Sequence, residues 1–169
     1  MTLADASTFA DFVDAIRSRE GVQEPIGPLA ELPANALDRL ERCAVDFERQ
    51  SALPLNRRRR VGILVMEPTE EEANSVIDFL GKRVGLRLVD LDVRDLRGLS
   101  SEDLEARTVT MSEPTAHIVA IRGLGLYTDR RVIEAIEHSD VDVMLIGFAT
   151  GGASYGAAFR RRFNHRLDL

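Results

Sequence analysis

From Val61 onward the chain alternates short apolar runs with stretches of helical periodicity, and few folds accept that pattern. "VGILVM", Val61 to Met66, is apolar at successive positions and not merely at alternate ones. Successive side chains of a strand point to opposite faces, so such a run is buried on both sides, as in a central parallel strand. "LRLVDLDV", "HIVAIRGL" and "VDVMLIGFA" repeat the pattern, and "HRLDL" offers a fifth strand. Helical segments separate them. Thr69 followed by Glu72 makes a capping box for a helix running to about Arg83, "SSEDLEA" begins a short helix, Thr128 caps "DRRVIEAIEHS", and "SYGAAFRRRF" is another short helix. Strand alternating with helix implies a parallel sheet covered on both faces, a three-layer αβα domain.

Upstream the periodicity is helical. Residues 6–19 read as a short amphipathic helix with Phe9, Phe12, Val13 and Ile16 on one face. Gly21 to Pro33, with three prolines and two glycines, is a connector. A helix over about residues 35–51 follows, with Leu37, Leu40, Ala44 and Phe47 on one face. The organisation expected is a helical extension over 1–25 and an α/β domain over 26–169, which suits a chain of 169 residues with 44% hydrophobic and 30% charged residues. The formal charge of −6 argues against a role in wrapping nucleic acid. "MTLADASTFADF" lacks the marks of a secretory signal, and no segment approaches the ~20 apolar residues needed to span a bilayer, so a cytoplasmic, membrane-free protein is expected. The single cysteine, Cys43, permits no internal disulfide and reads as a buried thiol on a helix face.

Three stretches carry a resemblance. "IGPLAELPANALDRLERCAVDF" is a leucine- and proline-marked turn with a helix, "RRVGILVMEPTEEEANSVIDFLGKRVGLRLVDLDVRDL" runs strand, corner, helix, strand, and "AAFRRRFNHRLDL" is a box of alanine, doubled arginine and phenylalanine. Together they resemble the core of the AAA+ ATPases, a branch of the P-loop NTPases, over Ile26 to Leu169. The resemblance implies a five-stranded parallel sheet in the order 5-1-4-3-2.

The motifs of that family are degenerate here. Glu67 to Asn74, "EPTEEEAN", fills the Walker A pattern without a gap. Glu67 and Glu72 take the places of its glycines, Ala73 that of the lysine, and Asn74 that of the hydroxyl that meets magnesium. The glycines let backbone N–H groups wrap phosphate, and the lysine neutralises its charge. Glu70, Glu71 and Glu72 would instead repel a triphosphate by roughly 1–4 kcal/mol per charge pair. The same run is also a good helix start, because carboxylates in a first turn are stabilised by the macrodipole. On the third strand Arg122 and Gly123 stand where the family has the Walker B carboxylates, and Gly151 stands at the sensor position after the fourth. The segment Arg94 to Ala116 lacks the aromatic pore-loop signature, and the helical lid that follows the last core strand in the family has no counterpart before Leu169.

These departures lead to the expectation of a catalytically inactive module without enzymatic activity or cofactor. It would act by binding a protein, either an active AAA+ ATPase or further copies of itself. Arg161 and Arg162, with Arg160 beside them, stand where the family places an arginine finger that reaches a neighbour's γ-phosphate; a solvated basic helix end is the plainer reading. Two alternatives stay open. One is an unrelated small-molecule or metal-dependent enzyme using Glu67, Asp90, Asp92 and Arg122 at the strands' carboxyl ends. The other is a truncated product with little activity. Asp95 lies near Asp90 and Asp92, but surface or capping roles explain all three. His117, His138 and His165 have no metal-ligand spacing. Arg57 to Arg60 read as a solvated loop.

Overall fold

The computed structural model describes residues 27–85, 87–96, 102, 117–125, 128, 130–139, 141, 143–151 and 155–169. The expected helix over 6–19 and most of the segment Arg94 to Ala116 (with "SSEDLEA", Glu102 apart) lie outside the described residues.

Each apolar run forms a strand: β1 Gly62–Met66, β2 Arg87–Asp92, β3 His117–Leu124, β4 Val143–Ala149 and β5 His165–Asp168. They make one sheet in the order β2-β3-β4-β1-β5, and every pairing is parallel. Counted from the other edge this is 5-1-4-3-2, the order expected from the sequence. Ile63 of β1 pairs with Ile146 on one side and His165 on the other. All of β4 is buried, in keeping with its unbroken apolar run.

Alternation along the strands divides the interior into two cores. On one face Ile63, Val65, Ile118, Ala120, Met144 and Ile146 pack against helices α1 (Ala34–Ser51) and α2 (Glu70–Val84). On the other Leu64, Val119, Ile121, Val143 and Leu145 meet α3 (Arg130–Glu137) and α4 (Ala157–Arg162). Leu40 and Cys43 of α1 are fully buried, so the sequence reading of that face holds for them. Burial pushes the Cys43 thiol up to about 12, with the nearby Asp46 carboxylate adding to the effect. Gly147 leaves room for the ring of Phe163: a Cβ there would lie 2.9 Å from the ring and 3.1 Å from Leu64 Cδ1.

Helix α2 begins as its sequence predicts. The Thr69 hydroxyl accepts the Glu72 N–H at 3.2 Å, and the Glu72 carboxylate accepts the Thr69 N–H at 2.8 Å. The helix ends at Gly85, whose φ of 71° is left-handed and suits glycine. Ahead of α3, the Thr128 hydroxyl accepts the N–H of Gly125 at 2.8 Å.

The three consecutive arginines of α4 diverge. Arg160 and Arg161 are exposed, but Arg162 is 1% exposed. Its guanidinium donates to the Ser139 hydroxyl at 2.5 Å, to the Val61 carbonyl at 2.9 Å and to the Val143 carbonyl at 2.8 Å. It thereby ties the residues after α3 to the starts of β1 and β4. A guanidinium held this way inside its own domain does not reach another subunit. Of the two arginines expected as a finger, only Arg161 is on the surface.

Candidate functional site

Five segments converge at the carboxyl ends of the strands: the strap Gly27–Pro28, the β1–α2 corner, and the ends of β2, β3 and β4. They enclose an open cleft of about 470 Å³. Open α/β sheets hold their ligands at this end, and of the residues singled out from the sequence Glu67, Ala73, Asn74, Arg122 and Gly123 line the cleft, whereas Glu72 and Gly151 do not.

Arg122 is its organising residue. From β3 its Nε donates to Asp90 Oδ1 on β2 at 3.1 Å, and its Nη2 donates to Asn74 Oδ1 on α2 at 2.7 Å. Asn74 Nδ2 donates in turn to the Pro28 carbonyl at 3.0 Å. The Asn74 amide orientation is therefore fixed from both ends: its oxygen takes the cation and its nitrogen meets a carbonyl. The Arg122 and Asp90 side chains are only 14% and 11% exposed, so the pair is poorly screened. The Phe148 ring lies beneath, its centroid 6.0 Å from the guanidinium carbon.

Periodicity did not foresee this network, because Asn74 and Arg122 are 48 residues apart. An amide oxygen and a guanidinium bond to each other across the cleft, so the charge between α2 and β2 belongs to a side chain.

The corner itself is held by Glu67. Its φ of 52° makes it the one described residue other than glycine with a positive φ. That conformation costs roughly 1–2 kcal/mol in a residue bearing a Cβ. Its N–H donates to the Ala149 carbonyl at 2.7 Å, and its Oε1 accepts the Gly151 N–H at 3.1 Å. A Cβ on Gly151 would stand 2.2 Å from that oxygen, so any larger residue there would displace the Glu67 carboxylate. Glu72 faces its own helix start, and Ala73 is buried in the core beside α1.

The other carboxylates are engaged separately. Asp92 takes the Arg94 guanidinium at 2.5 and 2.9 Å and the Arg94 N–H at 3.0 Å, which holds its carboxyl below the usual range. The side chain of Asp95 lies outside the described residues. Glu67, Asp90 and Asp92 thus each answer a different donor, and no group of three potential metal ligands occurs among the described residues. His165 bonds Asp46 at 2.8 Å and His138 lies at the end of α3, both away from the cleft; the His117 side chain is not described. In the arginine run, Arg58 and Arg60 bond the carbonyls of Leu53 and Glu137.

No described helix is long and apolar enough to cross a membrane. No family model matches the sequence, and no curated protein matches it. Solved structures do match. The FIGL-1 AAA domain in complex with ADP is 14% identical, with a TM-score of 0.64 over 95% of this chain and 61% of that one. A second structure of the FIGL-1 AAA domain gives 15% and 0.61 over 94% and 60%. A point mutant of RuvB from Thermotoga maritima gives 12% and 0.55 over 82% and 46%. The chain thus spans about half to three fifths of the length of these structures. The likeness corrects one expectation. A chain without enzymatic activity was expected from the degenerate motifs, but two of the structures that share its fold are FIGL-1 AAA domains, one of them in complex with ADP, so the fold gives no ground for calling the chain a non-enzyme. At these identities what is shared is the fold: five parallel strands in the order of the AAA+ P-loop NTPases, with helices on both faces.

Proposed function

We infer that this chain is an AAA+-fold module that works through association with other proteins, with a guanidinium built into the magnesium position of its cleft. The observation that carries this reading is the Asp90–Arg122–Asn74 bridge, which joins the Walker A and Walker B positions directly. A bound metal is normally the link between those positions and a triphosphate. Here the link is internal, the corner is acidic, and the strap Gly27–Pro28 is fastened to it through Asn74. Scaffold and cleft geometry are kept, while the cleft's charge is balanced from within.

The partner surface includes the exposed end of α4. Arg160 and Arg161 project there, while Arg162 anchors the helix beneath them. Arg161 is the residue assigned to reach a partner AAA+ ATPase or a second copy. The test is to isolate the ATPase that copurifies with the full chain from native lysate and to measure its turnover with and without added chain. Arg161 acting as a finger raises turnover, and Arg161→Ala abolishes the rise while leaving the fold intact. Unchanged turnover together with the absence of any complex or self-association in sedimentation would refute the reading.

A further inference from the structure

A second concavity lies outside the cleft. Residues 29–32 after the strap, the start of α1 and the outer face of α2 form an apolar groove of about 450 Å³, with Leu29, Leu32, Leu37 and Phe79 along it. Leu29 and Leu37 are 46% and 37% exposed, two of the four large hydrophobic side chains left exposed among the described residues. The floor is well ordered by bonding: the Ser75 hydroxyl accepts the Ala30 N–H at 2.8 Å and donates to the Ala30 carbonyl at 2.7 Å. One rim is polar, with Lys82 on Asp78 at 3.1 Å and Arg83 on Glu41.

We propose that this groove is the seat of the chain's own residues 6–19, bound as an amphipathic helix through Phe9, Phe12, Val13 and Ile16. The described chain begins at Gly27, two residues before Leu29, so whatever precedes it starts at the groove's edge. Residues 20–26 extend to at most ~25 Å, more than the ~21 Å length of a 14-residue helix, so the helix can lie along the groove in either direction. A tether this short gives an effective concentration of about millimolar, which favours the chain's own segment over a free partner of similar affinity. The apolar stripe at i, i+3, i+4 and i+7 is the spacing with which a helix enters such a groove, and Asp11, Asp14 and Arg17 bring both signs of charge to a rim of both signs. Gly27 and Pro28 also form a wall of the cleft. Seating the helix therefore steadies the wall to which Asn74, the partner of Arg122, is fastened.

The test places a nitroxide on Asp14→Cys in the full chain. Cys43 is fully buried and its thiol is pushed up to about 12, so the label goes to the introduced cysteine. The expected result is loss of the methyl signals of Leu29, Leu32 and Leu37 by paramagnetic broadening, with Leu145 in the opposite core unaffected. Phe9→Asp with Phe12→Asp in the same labelled chain restores the signals. The proposal is overturned if the three signals persist in the labelled chain, or if the aspartate substitutions fail to restore them. It is also overturned if the loss appears on mixing labelled chains with separate isotope-enriched chains, which would assign the groove to a second copy.

Discussion

Two arginines at opposite ends of the sheet show how the same side chain can serve the fold or the site. Arg162 sits below the amino-terminal ends of β1 and β4, is 1% exposed and gives two of its donors to backbone carbonyls. Arg122 sits at the carboxyl end of β3, on the cleft wall, and gives its donors to side chains of β2 and α2. Backbone carbonyls at strand starts must be satisfied whatever the protein does, so Arg162 belongs to folding. Side chains can be exchanged without disturbing the strands, so the contacts of Arg122 belong to the cleft.

The largest effect expected from breaking the comparison is at Arg162. Arg162→Ala leaves the Val61 and Val143 carbonyls and the Ser139 hydroxyl without this partner and should cost ~3 kcal/mol or more, measured by urea unfolding. Arg162→Lys should recover only part of that, since an ammonium cannot match the fork that reaches all three. Arg122→Ala should cost less, ~1–3 kcal/mol, mainly by leaving the largely buried Asp90 without this cation. In the double substitution with Asp90→Asn much of that loss should return. Additive losses would show that the pair is not coupled.

Thr69→Ala tests the corner next to Arg122. It removes one half of the capping box and should cost ~1 kcal/mol, with the cleft network unchanged. The smallest effect is at Asp92, where the Arg94 guanidinium holds the carboxyl low. A lowered folded-state pKa stabilises above the unfolded value of 3.8 and is lost as pH falls through the folded one. Asp92→Asn should therefore cost under ~1 kcal/mol near pH 7, and the difference from the parent should vanish in acid. A difference that grows in acid would contradict the pairing with Arg94.

The sheet was legible in the sequence because β1 and β4 are unbroken apolar runs and helix signals separate the strands, and the capping box marked the start of α2 to the residue. The fate of the α4 arginines was less so. "RRR" is uniform as text, but Arg162 follows Phe159 by three positions and shares its buried face; that periodic signal was present and was outweighed by the charge. The bridge from Asn74 to Arg122 depends on which strands lie side by side, and local pattern carries no trace of it. One hint was available: Asn74 and Ser75 interrupt an apolar helix face, and polar groups there need partners, which prove to be Arg122, Pro28 and Ala30. Glu67 shows the same limit, since its left-handed backbone follows from the corner and not from its residue type.

The central claim is that the Arg122 guanidinium joins α2 to β2 across the cleft through Asn74 and Asp90. It is tested most directly by a double-mutant cycle of Arg122→Ala and Asn74→Ala, measured by urea unfolding. A coupling of about 1 kcal/mol or more between the two sites is expected. Strictly additive losses would contradict it.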